Sequence, residues 1–167
     1  WIGTLDGLIQ YDGHRFATLT MDDGLSGNRV SAILEDGGGH LWLGTDGGLS
    51  QYDGTSFQNY TTDDGLSGNE VYALLEDREG SLWLGTAEGL DRYSGDEFRT
   101  YTSQDGLGHD RVYSILEDSQ GALWFRTGPG RVVVVWWPLE GGGVSRYEGK
   151  AFVNYTSADG LGEELSR

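Results

Sequence analysis

The sequence predicts an all-β protein made of β-propeller blades, four antiparallel strands to a blade, in about four repeats of 41 residues. Three observations lead there. Trp1, Trp42, Trp83 and Trp124 recur at a spacing of 41, as do Tyr11, Tyr52 and Tyr93, and residues 1–41 match residues 42–82 at 25 positions. A fixed period of that length is the mark of a repeat architecture. The apolar runs inside one unit are short (Val71 to Leu75, Leu82 to Leu84, Phe57 to Tyr60) with glycine or Asp-Gly between them, which leaves no room for a helix of about ten residues. Phe57 and Tyr60 stand three apart, so on a strand they point to opposite faces, and neither face is reserved for water. Sheets covered on both faces stack around an axis as propeller blades, with a solenoid as the main alternative.

The elements of one unit follow in order. The first strand is V-Y-A-L-L-E at 71–76, and Asp77 to Gly80 then reads as a tight hairpin turn with glycine at positive φ, as do Asp36 to Gly39 and Asp118 to Gly121. The second strand is L-W-L-G-T at 82–86 and the third G-L-D-R-Y at 89–93. Ser94-Gly95, like Asp53-Gly54, turns the chain into the fourth strand, E-F-R-T-Y at 97–101. Trp1 falls in a second strand, so the chain reads as three strands followed by three units of four. The triplet D-G-L recurs at Asp23, Asp64, Asp105 and Asp159, and its last step is 54 rather than 41, so the fourth unit carries 54 − 41 = 13 extra residues. The units are 1–41, 42–82, 83–123 and 124–167 of one propeller segment, with the insertion at about 128–140. A first unit without its first strand leaves an unpaired edge, and the expectation is an arc of a larger ring or a propeller that self-associates.

Composition removes several classes of function. With 27 acidic against 11 basic residues the formal charge is −16, which repels phosphate backbones and anionic lipid, so neither nucleic acid nor direct membrane contact is expected of this segment. No cysteine is present to form a disulfide, a thiolate zinc site or a nucleophile. No run of about 18 apolar residues marks a membrane span. The 29 glycines belong to turns, because 12% aromatic and 37% hydrophobic residues argue against disorder.

The joint pattern W-L-G-T-x-x-G-L-x-x-Y-D-G-x-x-F-x-x-Y, then D-G-L-x-x-N-x-V, then L-E-D-x-x-G-x-L-W, resembles the two-component regulator propeller repeat. The resemblance covers nearly the whole chain outside residues 128–140. It implies blades of a large propeller in the periplasmic sensor region of a membrane-bound histidine kinase, hybrid regulator or related receptor. It therefore implies a periplasmic or extracellular, non-catalytic, ligand-sensing role, and relatives that sense carbohydrate fragments point to a carbohydrate or other polar small ligand. The alternatives are a scaffold or protein-interaction propeller and, more remotely, a propeller lyase or hydrolase.

Candidate residues divide into structural and functional ones. The repeated tryptophans suit sugar stacking, yet their strict recurrence in the second strand reads as packing between blades. Glu35-Asp36, Glu76-Asp77 and Glu117-Asp118 are adjacent pairs that point to opposite faces, so turn chemistry is the better reading than acid and base catalysis. Asp22-Asp23-Gly24 and Asp63-Asp64-Gly65 lack the alternating spacing of a calcium loop. His14, His40 and His109 occupy unrelated repeat positions and read as surface residues, so no metal site, catalytic residue or cofactor is assigned.

Function is sought where matching repeats disagree, on the rim formed by the loops into the first strand and between the second and third strands. One position there carries Arg29, Glu70 and Arg111, and two further on come Ser31, Tyr72 and Tyr113. Arg29, Tyr72, Arg111 and Tyr113 are the expected ligand-binding residues, while Asn28 and Asn69 read as turn caps. Residues 128–143 break the pattern on the same rim, Arg126 replaces the glycine of Gly44 and Gly85, and Trp136 and Trp137 are the expected interaction residues. A sequence irregularity with no role is the other reading of that insertion.

Overall fold

The computed structural model describes residues 1–95, 97–129 and 143–161. The strands are β1 (Ile2–Gly3), β2 (Leu8–Tyr11) and β3 (Phe16–Leu19) in blade 1, and β4 (Val30–Glu35), β5 (Leu41–Thr45), β6 (Leu49–Tyr52) and β7 (Phe57–Tyr60) in blade 2. Blade 3 holds β8 (Val71–Glu76), β9 (Leu82–Thr86), β10 (Leu90–Tyr93) and β11 (Phe98–Tyr101), and blade 4 holds β12 (Val112–Glu117), β13 (Leu123–Thr127), β14 (Gly143–Tyr147) and β15 (Phe152–Tyr155). Each blade is an antiparallel meander in chain order, three strands in blade 1 and four in the others. Successive strands joined by hairpins into separate sheets are propeller blades, not solenoid coils. The first strands β4, β8 and β12 lie against one another from blade to blade and form the inner layer.

The hairpin turns are as the sequence implies. Gly39, Gly80 and Gly121 have φ of 83°, 79° and 83°, which a side chain would strain. In the blade 3 turn, Asp77 Oδ1 accepts from the N–H groups of Glu79 and Ser81, both at 2.9 Å, and Asp77 Oδ2 accepts from Trp83 Nε1 at 2.7 Å. Asp36 with Trp42 and Asp118 with Trp124 repeat the arrangement at 2.8 Å. One carboxylate thus closes the turn and orients the indole that packs the blade.

The D-G-L triplet has a structural use of its own. It ends a short 3-10 turn, Met21–Asp23 and its three counterparts, each closed by a threonine and the aspartate three residues on. Thr20 N donates to Asp23 Oδ2 at 2.9 Å, so this carboxylate is engaged with its own backbone. Asn28 and Asn69 accept from Met21 N and Thr62 N, which confirms them as caps.

Three apolar clusters fill the spaces between blades. Trp42, Leu49, Leu66, Val71, Leu82 and Leu84 form the one between blades 2 and 3. Phe57 joins the preceding cluster and Tyr60 this one, as expected of residues on opposite faces. Gly44 and Gly85 allow the close approach of neighbouring blades: a Cβ on Gly44 would lie 2.8 Å from Val71 Cγ1, and one on Gly85 2.6 Å from the carbonyl oxygen of Val112. The tryptophan series is not uniform. Trp83 is 2% exposed and Trp42 is buried, each in the cluster shared with the following blade, but Trp124 is half-buried and Trp1, edge-on to Tyr52, is 43% exposed.

Candidate functional site

The four predicted ligand residues stand at the start of the inner strands, and three of them, Arg29, Tyr72 and Tyr113, are linked through Glu70 and ring stacking. Each of β4, β8 and β12 carries a register shift at its second residue, between Val30 and Ala32, Val71 and Ala73, and Val112 and Ser114. Ser31, Tyr72 and Tyr113 are the bulged residues. A bulge bends the strand and re-aims the extra side chain, so the local backbone, not strand alternation, sets the direction of these groups. Tyr72 and Tyr113 stack with ring centres 5.1 Å apart and planes 28° apart, across the boundary between blades 3 and 4. Arg29 pairs with Glu70, and Tyr72 Oη donates to Glu70 Oε2 at 2.9 Å. Burial and the Glu70 bond both push the Tyr72 phenol up from its ordinary value, so it remains a neutral donor. Arg126, the residue in place of the repeat glycine, lies with Cζ 5.0 Å from the centre of the Tyr113 ring.

The result is a ladder of Arg29, Glu70, Tyr72, Tyr113 and Arg126 that crosses three blades on one rim. Arg111 sits beside it, close enough for its charge to act on Tyr72, and donates from Nη1 to the carbonyl of Pro129 at 3.3 Å. His109 is half-buried rather than a surface residue: its Nδ1 accepts from Arg111 N at 3.0 Å, where in blade 2 Asp46 accepts from Arg29 N. The replacement follows from space. Gly27, the counterpart of His109, could take no Cβ without meeting Asp46 Oδ1 at 2.5 Å, and in blade 4 Gly128 stands in the place of Asp46. Trp136 and Trp137 lie outside the described residues.

The other rim holds two repeat-related clefts that sequence reasoning missed. One, of about 580 Å3 between blades 2 and 3, is lined by Asp36, His40, Trp42, Gln51, Tyr60 and Glu76 among others. Its counterpart of about 360 Å3 between blades 3 and 4 includes Asp77, Arg78, Trp83, Arg92, Glu117 and Tyr147. The six-residue Asp-Trp spacing is the signal that marks them. Much of their polar lining ties blades together: Arg78 donates to the carbonyls of Asp118 at 2.9 Å and Ser119 at 3.2 Å and lies 3.3 Å from Glu117. Arg92 lies over the Trp83 ring at 5.5 Å.

A family model described as "Two component regulator propeller" matches residues 24–47, 65–88 and 106–128. Those spans carry the inner-strand starts, the Asp-Trp turns and the rim ladder. These are two component regulator propeller repeats. The extracellular domain of a protein assigned as a hybrid two component system from B. thetaiotaomicron superposes on the repeats with a TM-score of 0.81 at 24% identity, over 96% of this chain and 22% of that one. The extracellular domain of one assigned as a one component system from the same organism has a TM-score of 0.75 at 23% identity, over 98% and 24%. Virginiamycin B lyase from Staphylococcus aureus reaches 0.55 at 13% identity, over 84% and 44%. The regulator propeller repeats here thus span about a quarter or less of the two extracellular domains, and at these identities the likeness is one of fold. Comparison with curated protein sequences gives no match.

Proposed function

We propose that this chain is a non-catalytic, ligand-sensing propeller segment of an extracytoplasmic signal-transduction receptor, and that its rim ladder takes a polar small ligand such as a carbohydrate. The observation that carries the reading is the ladder itself. Two successive bulges aim Tyr72 and Tyr113 into one stacked pair flanked by Arg29, Arg111 and Arg126, a combination of aromatic faces and fixed donors suited to a polyhydroxylated or carboxylated ligand. The family match and the extracellular neighbours support the setting. Signalling then requires that the ligand bind one blade arrangement more tightly than another.

A glycan array followed by calorimetry on the best hit tests it. Replacing Arg29 and Arg111 together with alanine is expected to lower affinity at least about tenfold, with Glu70→Gln as the control for the carboxylate that Arg29 leaves behind. Unchanged affinity would remove the ladder from the site.

A second reading, a protein-interaction propeller that self-associates, is favoured by one observation. Ile2, Tyr11 and Phe16 are exposed where their counterparts Leu43, Tyr52 and Phe57 pack between blades. Light scattering should then show a mass that rises with concentration and falls in Phe16→Asp. A monomer at every concentration sinks that reading.

A further inference from the structure

Each complete blade carries a polar knot at its centre, and blade 4 is missing one hydroxyl from it. In blade 2, Ser26 Oγ lies 2.9 Å from Thr45 Oγ1 and 2.8 Å from Ser50 Oγ. In blade 3, Ser67 Oγ donates to Asp91 Oδ2 at 2.8 Å and lies 2.8 Å from Thr86 Oγ1. The corresponding residue of blade 4 is Gly108. A Cβ built there would stand 2.9 Å from Ser145 Oγ, 3.1 Å from Asn154 Oδ1 and 3.2 Å from Thr127 Oγ1, so three oxygens still converge on the place of the absent side chain.

The surrounding groups show what is lacking. Gly108 N donates to Ser145 Oγ at 3.0 Å, and Ser145 Oγ donates to Asn154 Oδ1 at 2.7 Å, which satisfies that pair. Thr127 is 5% exposed, and its Oγ1 has no hydrogen-bond partner among the described residues; it lacks both the serine hydroxyl and the glycine carbonyl to which Thr45 (Gly48, 2.9 Å) and Thr86 (Gly89, 3.0 Å) donate. Beside it opens a cavity of about 210 Å3, lined by Gly108, Thr127, Val144, Ser145, Asn154 and Tyr155 with others. A water in the liquid takes roughly 30 Å3, so the space holds several waters or a small polyol. A buried hydroxyl without a partner costs about 1–3 kcal/mol, and a cavity that is both polar and roomy fills.

We propose that Gly108 opens a hydroxyl-binding subsite in blade 4, in which a hydroxyl from outside the chain takes the position of the Ser26 and Ser67 side chains and bonds Thr127 Oγ1. The shared chemistry is a hydroxyl group, and its source is water or a polyol. The inference stands on blade 4 alone and is independent of the rim ladder.

The test uses glycerol and glucose as probes. Calorimetry on the unaltered chain is paired with Gly108→Ser, which supplies the hydroxyl internally, and Thr127→Val, which removes its partner while keeping the shape. Saturable binding of either probe, weakened at least about tenfold in both variants, assigns the site to a polyol. No probe binding, together with a melting temperature that falls in Thr127→Val and rises in Gly108→Ser, assigns it to water. A melting temperature that rises in Thr127→Val with no probe binding means that the threonine was unsatisfied and the cavity dry, and overturns the proposal. Should Gly108→Ser fail to fold, the sign of the Thr127→Val shift and the probe isotherms still decide.

Discussion

Blades 3 and 4 have the same strand order, the same Asp-Trp hairpin turn and nearly the same inner strands, yet one has a blade against each face and the other against only one. Trp83 of blade 3 is buried between Leu90, Tyr101 and Phe125, whereas Trp124 is half-buried with Tyr155 stacked at 5.8 Å and Arg146 above it at 5.3 Å. Leu75 packs into the boundary cluster, while its counterpart Leu116 is 62% exposed. The repeat sequence is therefore not self-sufficient. A residue type copied every 41 positions acquires its energetic weight from the neighbour that covers it.

The comparison is broken most strongly at the tryptophans. Trp83→Ala should destabilise by about 3–5 kcal/mol, as a large ring lost from a packed core does. Trp124→Ala should cost roughly 1–2 kcal/mol, because less of its area is removed from water. Urea unfolding midpoints measure both, and equal losses would mean that the second face adds nothing.

The glycine of the second strand comes next. Gly85 must be small because the Val112 backbone comes within 2.6 Å of its Cβ position, but blade 4 carries Arg126 there, laid over Tyr113. Gly85→Arg should cost about 3 kcal/mol by forcing blades 3 and 4 apart. Arg126→Gly should cost about 1 kcal/mol, the loss of one half-buried cation–ring contact. A blade docked on blade 4 in the geometry used between blades 2 and 3 would meet the Arg126 side chain.

Asp77→Ala sharpens the same contrast at smaller scale. It leaves Trp83 Nε1 buried without an acceptor and should cost about 1–3 kcal/mol. Asp118→Ala should cost less, since water reaches the Trp124 edge more readily. Indole fluorescence during unfolding reports on both.

Much of this was legible in advance, for reasons that lie in particular residues. The strands and hairpins follow from Val71, Leu82, Tyr93 and the positive-φ glycines, because local periodicity and turn chemistry act over a few positions. The rim residues were legible as disagreements between repeats. What joins them was not: the bulges at Ser31, Tyr72 and Tyr113 and the Arg29–Glu70 pair are relations between blades, and spacing along the chain does not contain them. His109 was misread for the same reason, and Trp1 packs edge-on to Tyr52 of the next blade yet stays 43% exposed, since burial depends on what stands opposite. The clefts at the far rim were missed because the Asp-Trp pair was understood as two separate features.

The smallest expected effect separates the knot of blade 3 from its neighbours by its response to pH. Asp91 occupies the place held by Ser50 in blade 2 and Ser145 in blade 4, and it is fully buried. Burial raises its carboxyl above the ordinary 3.8, against the opposing bonds from Thr100 and Ser67. The folded chain therefore holds this proton more firmly than the unfolded chain, so the stabilisation is complete below the unfolded value and is lost as pH rises through the folded one. Asp36 and Asp118 run the other way. Burial raises Asp36, but the Trp42 indole and backbone N–H groups outweigh it, and the Trp124 indole leads the lowering of Asp118. What these two contribute is present above 3.8 and fades on acidification. In the unaltered chain the slope from Asp91 opposes theirs. Asp91→Ser removes one of them, so its stability should fall more steeply than that of the parent as pH drops from about 6 to about 3. Parallel curves of urea midpoint against pH would show that Asp91 does not titrate in this range.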